Sequence, residues 1–374
     1  MKKCKLPLIV LLCVSMLLGG CLNGGEAQSI VEAVTDTNSS TVTTEDATET
    51  QPDKDKEVTM GSNMWKYKTE NGISIREVVI NTDKGGEDVN VVQITDTHYW
   101  AFTENDLKNP VLASTKENRT WKTIANGASV SKAEKVLVYA DSVADQIVVT
   151  GDAIDFLSEG TLNLVKSTLW NKYGVASGKD KIMVTMGNHE PLRQMQGTVA
   201  DSTTLESRLQ ILQDAWEHDI YYTSKVIKDK VMVIQLDNGI KEMFWDCQVS
   251  QLKRDLDIAR QNGYVVLLFY HVPISTGNAK YYNTKASVIG DQNNAYANFY
   301  SKGINQYSEG ASGEIYNLII NNGDIIKGCF CGHKHCDYYT EIEAKTVDGT
   351  ATVIPQYILI GAAYGANVLK ITVK

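Results

Sequence analysis

The chain has 374 residues, too many for one small domain and enough for a targeting segment plus one large domain. Its 43% apolar and 22% charged residues are ordinary for a protein with a large buried core. A formal net charge of -9 argues against duplex nucleic-acid binding, which calls for a basic face. Nine acids against two lysines between Glu26 and Glu57 account for -7 of it, and Lys2, Lys3 and Lys5 add +3. The remainder is mildly acidic, about -5, and says little about partners.

The first residues read as a targeting signal: a basic MKKCK followed by the apolar LPLIVLLCVSMLLGG. That run is too short, and too soon followed by polar chain, to be a comfortable transmembrane helix. Leu18-Gly19-Gly20-Cys21 resembles the lipobox of bacterial lipoproteins, with small residues for peptidase access and a thiol to carry the lipid. The alternative is a plain signal peptide with an accidental cysteine. Two acyl chains on Cys21 would anchor stably where one would not. The expected location is outside the cytoplasm, on the outer face of the bacterial cytoplasmic membrane or an equivalent envelope membrane.

The expected organisation is a signal peptide over residues 1–21, a tether over 22–58 and a catalytic domain over 59–374. The tether is rich in Thr, Ser, Glu and Asp with no apolar periodicity, a composition that stays disordered. Asn38-Ser39-Ser40 and Asn118-Arg119-Thr120 match glycosylation sequons, which a bacterial lipobox deprives of meaning. Of seven cysteines, Cys247, Cys329, Cys331 and Cys336 stay in the mature domain and are expected free and buried. Export would permit pairing, but near neighbours on one strand are poorly placed to bond each other.

From Trp65 onward, strands and helices alternate. ISIREVVINT reads as a first strand and VNVVQITD as a buried one. SKAEKVLVYADSVAD has helical spacing, QIVVTGD is a strand, and EGTLNLVKSTLWNKY is a helix. KIMVTMGN is a strand, TTLESRLQILQDAWEH a helix, KVMVIQLDN a strand, SQLKRDLDIARQ a helix and YVVLLFYH a strand. GEIYNLIINN is a helix, IIKGCFCGH a strand, and the chain from Tyr338 reads as further strands. The alternation indicates an α/β domain with helices covering sheets. Two connections are long, from Tyr99 to near Ser131 and from His271 to near Gly313. Such loops are usually functional or mobile.

The polar residues at the strand ends follow one rule. Five strands end in Asp96-Thr97-His98, Gly151-Asp152-Ala153-Ile154-Asp155, Gly187-Asn188-His189-Glu190, His271-Val272-Pro273 and Gly332-His333-Lys334-His335. In α/β sheets, ligands bind beyond the carboxyl ends of the strands. The chain has six histidines, and five of them, His98, His189, His271, His333 and His335, sit at these ends; only His218 does not. Scattered structural histidines would not cluster so. Imidazole, carboxylate and carboxamide donors suit Zn, Mn or Fe. A metal pair about 3.5–4 Å apart can clamp both oxygens of an in-line displacement.

This ordered set resembles the calcineurin-like metallophosphoesterase superfamily, with five blocks in the family's order between Val89 and His335. The resemblance implies a four-layer αββα sandwich of two mixed sheets with a dinuclear site at its edge. It implies two divalent or trivalent ions (Mn, Zn or Fe). Asp96, His98 and His335 would hold the first, Asn188, His271 and His333 the second, and Asp152 both. It further implies attack by a metal-bridging hydroxide on a small phosphate mono- or diester. His189 would be the general acid, a role that suits imidazole. Asp155 is either the residue that orients His189 or a solvated turn acid, and Glu190 reads as structural.

Weaker signals stay two-sided. Cys329-Phe330-Cys331-Gly332-His333 has the wrong spacing for a structural zinc knuckle. Arg193 either binds a substrate phosphate or sits at the surface. Tyr99 and Trp100 line the pocket or pack in the core, and Asp237 and Asn238 could touch the site edge. Tyr281, Tyr282, Tyr296, Phe299 and Tyr300 in the second long loop could stack on a base or sugar, or form a packed excursion. A lipid-anchored solute-binding or scaffold protein is the competing function, but it leaves five strand-end histidines without a role. No tyrosine marks an iron-tyrosinate variant after Asp152.

Overall fold

Asn71 and Gly72, at φ of 50° and 69°, turn the chain between β1 (Lys66–Glu70) and β2 (Ile73–Ile80). Two left-handed residues are what a tight hairpin with right-twisted strands requires, and Asn-Gly supplies them at least strain. β2 then joins β12 (Asn367–Val373) in parallel. β12 pairs antiparallel with β3 (Val89–Ile94), which continues in parallel through β4 (Gln146–Thr150) to β5 (Ile182–Thr185). The computed structural model describes residues 66–119, 128–194, 199–274, 310–335 and 337–374.

The second sheet runs in the order β10-β11-β9-β8-β7-β6. Its central strands β7 (Val231–Leu236), β8 (Val265–Phe269) and β9 (Ile326–Cys331) are parallel. β11 (Ala351–Ile358) joins β9 in parallel, while β6 (Tyr222–Ile227) and β10 (Tyr338–Lys345) add antiparallel at the edges.

Side-chain alternation splits each central strand between two layers. Val231 and Val233 of β7, Val265, Leu267 and Phe269 of β8 and Phe330 of β9 face the first sheet. There they meet Val89, Val91, Val148, Leu369 and Ile371 in one buried cluster. Phe330 stacks on Phe269 and on Tyr357, with centroids 4.9 and 5.4 Å away. The alternate residues Met232, Ile234, Val266, Leu268, Cys329 and Cys331 face helices α5 (Asp246–Asn262) and α6 (Gly310–Ile320), where Leu252, Leu256, Ile315 and Ile319 close a second cluster. α2 (Ala128–Val143) packs against β3 and buries Ala133, Val136, Leu137 and Ala140. The result is the expected four-layer αββα sandwich of two mixed sheets. Among the described residues no helix is long and apolar enough to cross a membrane.

Several elements differ from expectation. The stretch after Tyr99 is no open loop: it carries a 3₁₀ turn at Asp106–Lys108 and helix α1 (Pro110–Arg119). Proline at a helix start loses nothing, because that N–H has no partner in the helix anyway. β1 and β6 were not predicted. The helix predicted from Glu159 is α3 (Glu159–Val165), continued by a π-helical stretch at Lys166–Trp170 and a last turn at Asn171–Tyr173. α4 (Leu205–Ala215) lies where TTLESRLQILQDAWEH predicted a helix. Cys329 and Cys331 are free and buried as expected, but Cys247 is disulfide-bonded, which corrects the expectation of a free thiol. Residues 1–58, read above as a signal and a tether, together with Cys336 and the aromatic residues from Tyr281 to Tyr300, lie outside the described residues.

Candidate metal centre

Parallel strands end on the same side, so β3, β4 and β5 of one sheet and β8 and β9 of the other deliver their last residues to one edge. The five segments then bend sharply. Asp96, His98, Asp152, His333 and His335 all have left-handed backbone, with φ between 45° and 70°. For a non-glycine residue that costs on the order of 1–3 kcal/mol and persists where the surroundings over-determine it, typically at functional sites. Glycines let the segments close in. A Cβ on Gly187 would fall 2.2 Å from Asp152 Oδ1, and one on Gly151 (φ 78°) would fall 2.5 Å from His271 Nδ1.

The polar ends pair across the two sheets. Asp96 Oδ1 lies 3.0 Å from His335 Nε2, and His98 Nε2 lies 3.3 Å from the same nitrogen. Asn188 Oδ1 lies 3.1 Å from His271 Nε2 and 3.0 Å from His333 Nδ1. Between these two groups stands Asp152, whose Oδ2 is 3.8 Å from His98 Nε2 and 3.3 Å from His271 Nε2. The seven expected donors are therefore brought together as two sets of three joined by one carboxylate. The donor atoms of Asp96, His98, Asp152 and His335 all lie within 4.8 Å of one another.

The remaining atoms of these residues hold the donors in place. His271 Nδ1 donates to the Thr150 carbonyl at 2.8 Å, leaving Nε2 for the site. Asn238 accepts from the backbone N–H of His271 and of Val272, so it positions a donor instead of facing the cleft. Thr95 Oγ1 and the His333 N–H both donate to Asp96 Oδ2, at 2.6 and 3.1 Å. His335 Nδ1 meets the Tyr364 hydroxyl at 2.6 Å. Partners of this kind fix the tautomer and orientation of metal-binding imidazoles.

His189 and Asp155 stand beside the first set. Asp155 is fully buried, not a solvated turn acid. Its Oδ1 is 3.0 Å from His98 Nδ1 and 3.1 Å from His189 Nδ1. Arg119 donates to the same carboxylate through Nε at 2.6 Å and Nη2 at 2.8 Å. With Nδ1 occupied, His189 presents Nε2 as the nitrogen open to a substrate. Glu190, fully buried, accepts the backbone N–H groups of Gly187, Asp152 and Ala153, in keeping with a structural role.

Electrostatics follow from this crowding. Burial alone would raise the Asp152 carboxyl, but the imidazoles of His271, His189 and His98 hold it well below the usual carboxylate range. Burial likewise opposes the lowering of Asp96, and His335 wins. Against burial, the Asp152 charge and the Asp155 hydrogen bond lift His189 to about 9. His333 is depressed well below the ordinary histidine value by burial and the charge of His271. Ionised carboxylates packed among imidazoles form a site that favours cations.

Other expectations resolve without the centre. Tyr99 is buried and bridges to Ile154, so it is core. Trp100 meets Phe102 edge-on. Arg193 faces Asp201 at 3.6 Å. Asp237 accepts from the Trp245 indole and the Gly239 N–H. His218, the histidine that lies at none of these strand ends, accepts the Val184 N–H on Nε2 at 3.0 Å. Arg119 and Tyr364 were missed. Arg119 lay in what read as a sequon, and Tyr364 sits between Gly361 and Gly365, whose spacing was the only signal of a close approach.

A two-sheet sandwich with carboxylate, imidazole and carboxamide donors at shared strand ends defines a metallophosphoesterase, a hydrolase that works through a metal pair. The chain matches the calcineurin-like phosphoesterase family over residues 89–337, more than half its length, and belongs to that family. It is a metal-dependent hydrolase of phosphoric ester bonds, with a dinuclear centre implied by the family and candidate ligands in place. Among solved structures it is similar to a dimetal phosphatase from Danio rerio, at 14% identity over 74% of this chain and 88% of that one, with a TM-score of 0.39. It is also similar to a purple acid phosphatase from yellow lupin (Lupinus luteus) seeds, at 12% identity over 78% of this chain and 46% of that one, with a TM-score of 0.40. No curated protein sequence matches the chain.

Proposed function

We propose that this protein is an exported, lipid-anchored phosphoesterase acting on small phosphate mono- or diesters. Asp96, His98 and His335 would hold one cation and Asn188, His271 and His333 the other, and Asp152 lies where both could use it. The observation that carries this is the position of Asp152 Oδ2, 3.8 Å from a nitrogen of the first set and 3.3 Å from one of the second. Mn, Zn or Fe bound there supplies Lewis acidity toward phosphoryl oxygens and lowers the pKa of water.

The chain's own groups do the rest. Asp155 holds the His189 ring through Nδ1, so a proton at Nε2 points into the cleft and passes to the departing ester oxygen. Backbone hydrogen bonds between the segments hold several donors in place: Asp96 N–H to the Gly151 carbonyl, His98 N–H to the Asp152 carbonyl and Gly332 N–H to the His271 carbonyl.

Dialysed protein tested with and without Mn²⁺ or Zn²⁺ on aryl phosphate mono- and diesters is expected to hydrolyse at least one class only when metal is restored. Metal-independent rates, or no hydrolysis of either class with two equivalents bound, would count against the proposal. The anchor is read separately. Leu18-Gly19-Gly20-Cys21 supports acylation at Cys21, and a Cys21→Ser variant is expected to leave the membrane fraction. Unchanged membrane retention of that variant would remove the lipoprotein assignment and leave the hydrolase intact.

A further inference from the structure

We propose that Arg119, the last residue of α1, is a positioning residue that sets both a metal-binding imidazole and the acid imidazole through one carboxylate. The part concerning His189 rests on the function proposed above.

Three side chains converge on Asp155. Arg119 takes it with a two-pronged grip, Nε on Oδ2 at 2.6 Å and Nη2 on Oδ1 at 2.8 Å. The same Oδ1 faces His98 Nδ1 at 3.0 Å and His189 Nδ1 at 3.1 Å. A single oxygen serving three donors has little freedom. A monodentate partner would let the carboxylate swing about its Cβ–Cγ bond, whereas a guanidinium fork fixes the carboxylate plane. The fixed plane then sets two rings that meet edge-on, with centroids 4.7 Å apart and planes at 89°.

Arg119 is itself fixed. It is buried, its guanidinium carbon lies 5.8 Å from the Phe156 ring centroid, and α1 is tied down by Val111, Leu112 and a Thr115 hydroxyl that donates to the Arg193 carbonyl. His98, Asp155 and His189 could themselves be read as a cation site. The Arg119 fork already supplies a cation to that carboxylate, so Asp155 orients the two rings through their Nδ1 atoms and leaves His98 Nε2 to the first donor set.

The fork predicts what its loss does. Misaligned His98 weakens cation binding, and misaligned His189 hurts most where the leaving oxygen most needs a proton. The test compares the full-length parent with Arg119→Met and Arg119→Lys, each shown folded by circular dichroism. Mn²⁺ titration calorimetry gives dissociation constants, and turnover at saturating Mn²⁺ is measured on aryl phosphates spanning good to poor leaving groups.

Arg119→Met is expected to bind Mn²⁺ about 10–100-fold more weakly, as for other partners of metal-binding imidazoles. Its kcat deficit should grow as the leaving group becomes more basic, with KM within about twofold. Arg119→Lys keeps the charge without the fork and should recover only part of both, and it carries the test should the methionine variant not fold. A role confined to stability would lower the melting temperature and leave both readouts at parental values, which overturns the proposal. A parent without metal-dependent turnover would sink the phosphoesterase substrate assignment, while Mn²⁺ affinity still decides on Arg119.

Discussion

An Asp152→Asn variant is expected to lose turnover by about 10³-fold or more and to hold fewer than two equivalents of metal. Charge stabilisation by a bound metal is worth several kcal/mol, and each ~1.4 kcal/mol is a decade of rate. Asparagine keeps the shape of Asp152 and the oxygen that accepts the His189 backbone N–H at 2.9 Å. It replaces an anionic oxygen with an NH₂ group facing His98 and His271, at the one position that joins the two donor sets. An NH₂ group has no lone pair for a cation. The strand beneath is untouched, since β4 pairs with both neighbours through its backbone. The unliganded variant should therefore melt close to the parent. Metal analysis by plasma emission and an aryl phosphate assay check the two halves together. Parental turnover with unchanged metal content would refute the shared-carboxylate assignment.

The donors were legible because each follows a strand whose own pattern is strong. VVQI, IVVT, IMVT, VVLLF and GCFC carry apolar residues on both faces, as buried parallel strands do, so the polar residue after each run marks a strand end. Five of six histidines falling at those ends made a chance cluster hard to sustain. The order of the strands within each sheet was not legible. β12 inserts between β2 and β3 from the far end of the chain, a pairing that no local pattern encodes. β1 could have been found, because Asn71-Gly72 is a strong hairpin signal, but its five residues are all exposed and lack apolar alternation. The left-handed backbone at Asp96, His98, Asp152, His333 and His335 was hidden for a different reason. Aspartate and histidine do not demand positive φ; the crossing of segments at the site imposes it. Arg119 was illegible on both counts. α1 is mostly polar, and the worth of an arginine at its end comes only from where that end lands, beside Asp155.

Glu190→Gln is expected to cost about 2–5 kcal/mol of stability and to weaken metal binding at both donor sets at once. Oε2 of Glu190 accepts the N–H groups of Gly187 at 2.6 Å and Asp152 at 3.2 Å, and Oε1 accepts that of Ala153 at 2.7 Å. One side chain therefore pins the turn carrying Asp152 to the turn carrying Asn188. Burial and the neighbouring Asp152 charge push Glu190 up to about 8, so the protonated form is within reach at neutral pH. Protonation does not remove the grip, because a carboxyl group keeps a lone pair on both oxygens. A carboxamide does not: whichever way it lies, its NH₂ faces a backbone N–H. Each buried donor so orphaned costs about 1–3 kcal/mol, and like dipoles face each other besides. With roughly 2–4 °C per kcal/mol for a domain near this size, the melting temperature should fall by roughly 4–20 °C. Mn²⁺ affinity should fall about 10–100-fold, as when other supports of a metal site are lost. Differential scanning calorimetry and Mn²⁺ titration measure the two effects. A variant that melts within a degree of the parent and titrates identically would show that the two turns hold their shape without this carboxylate.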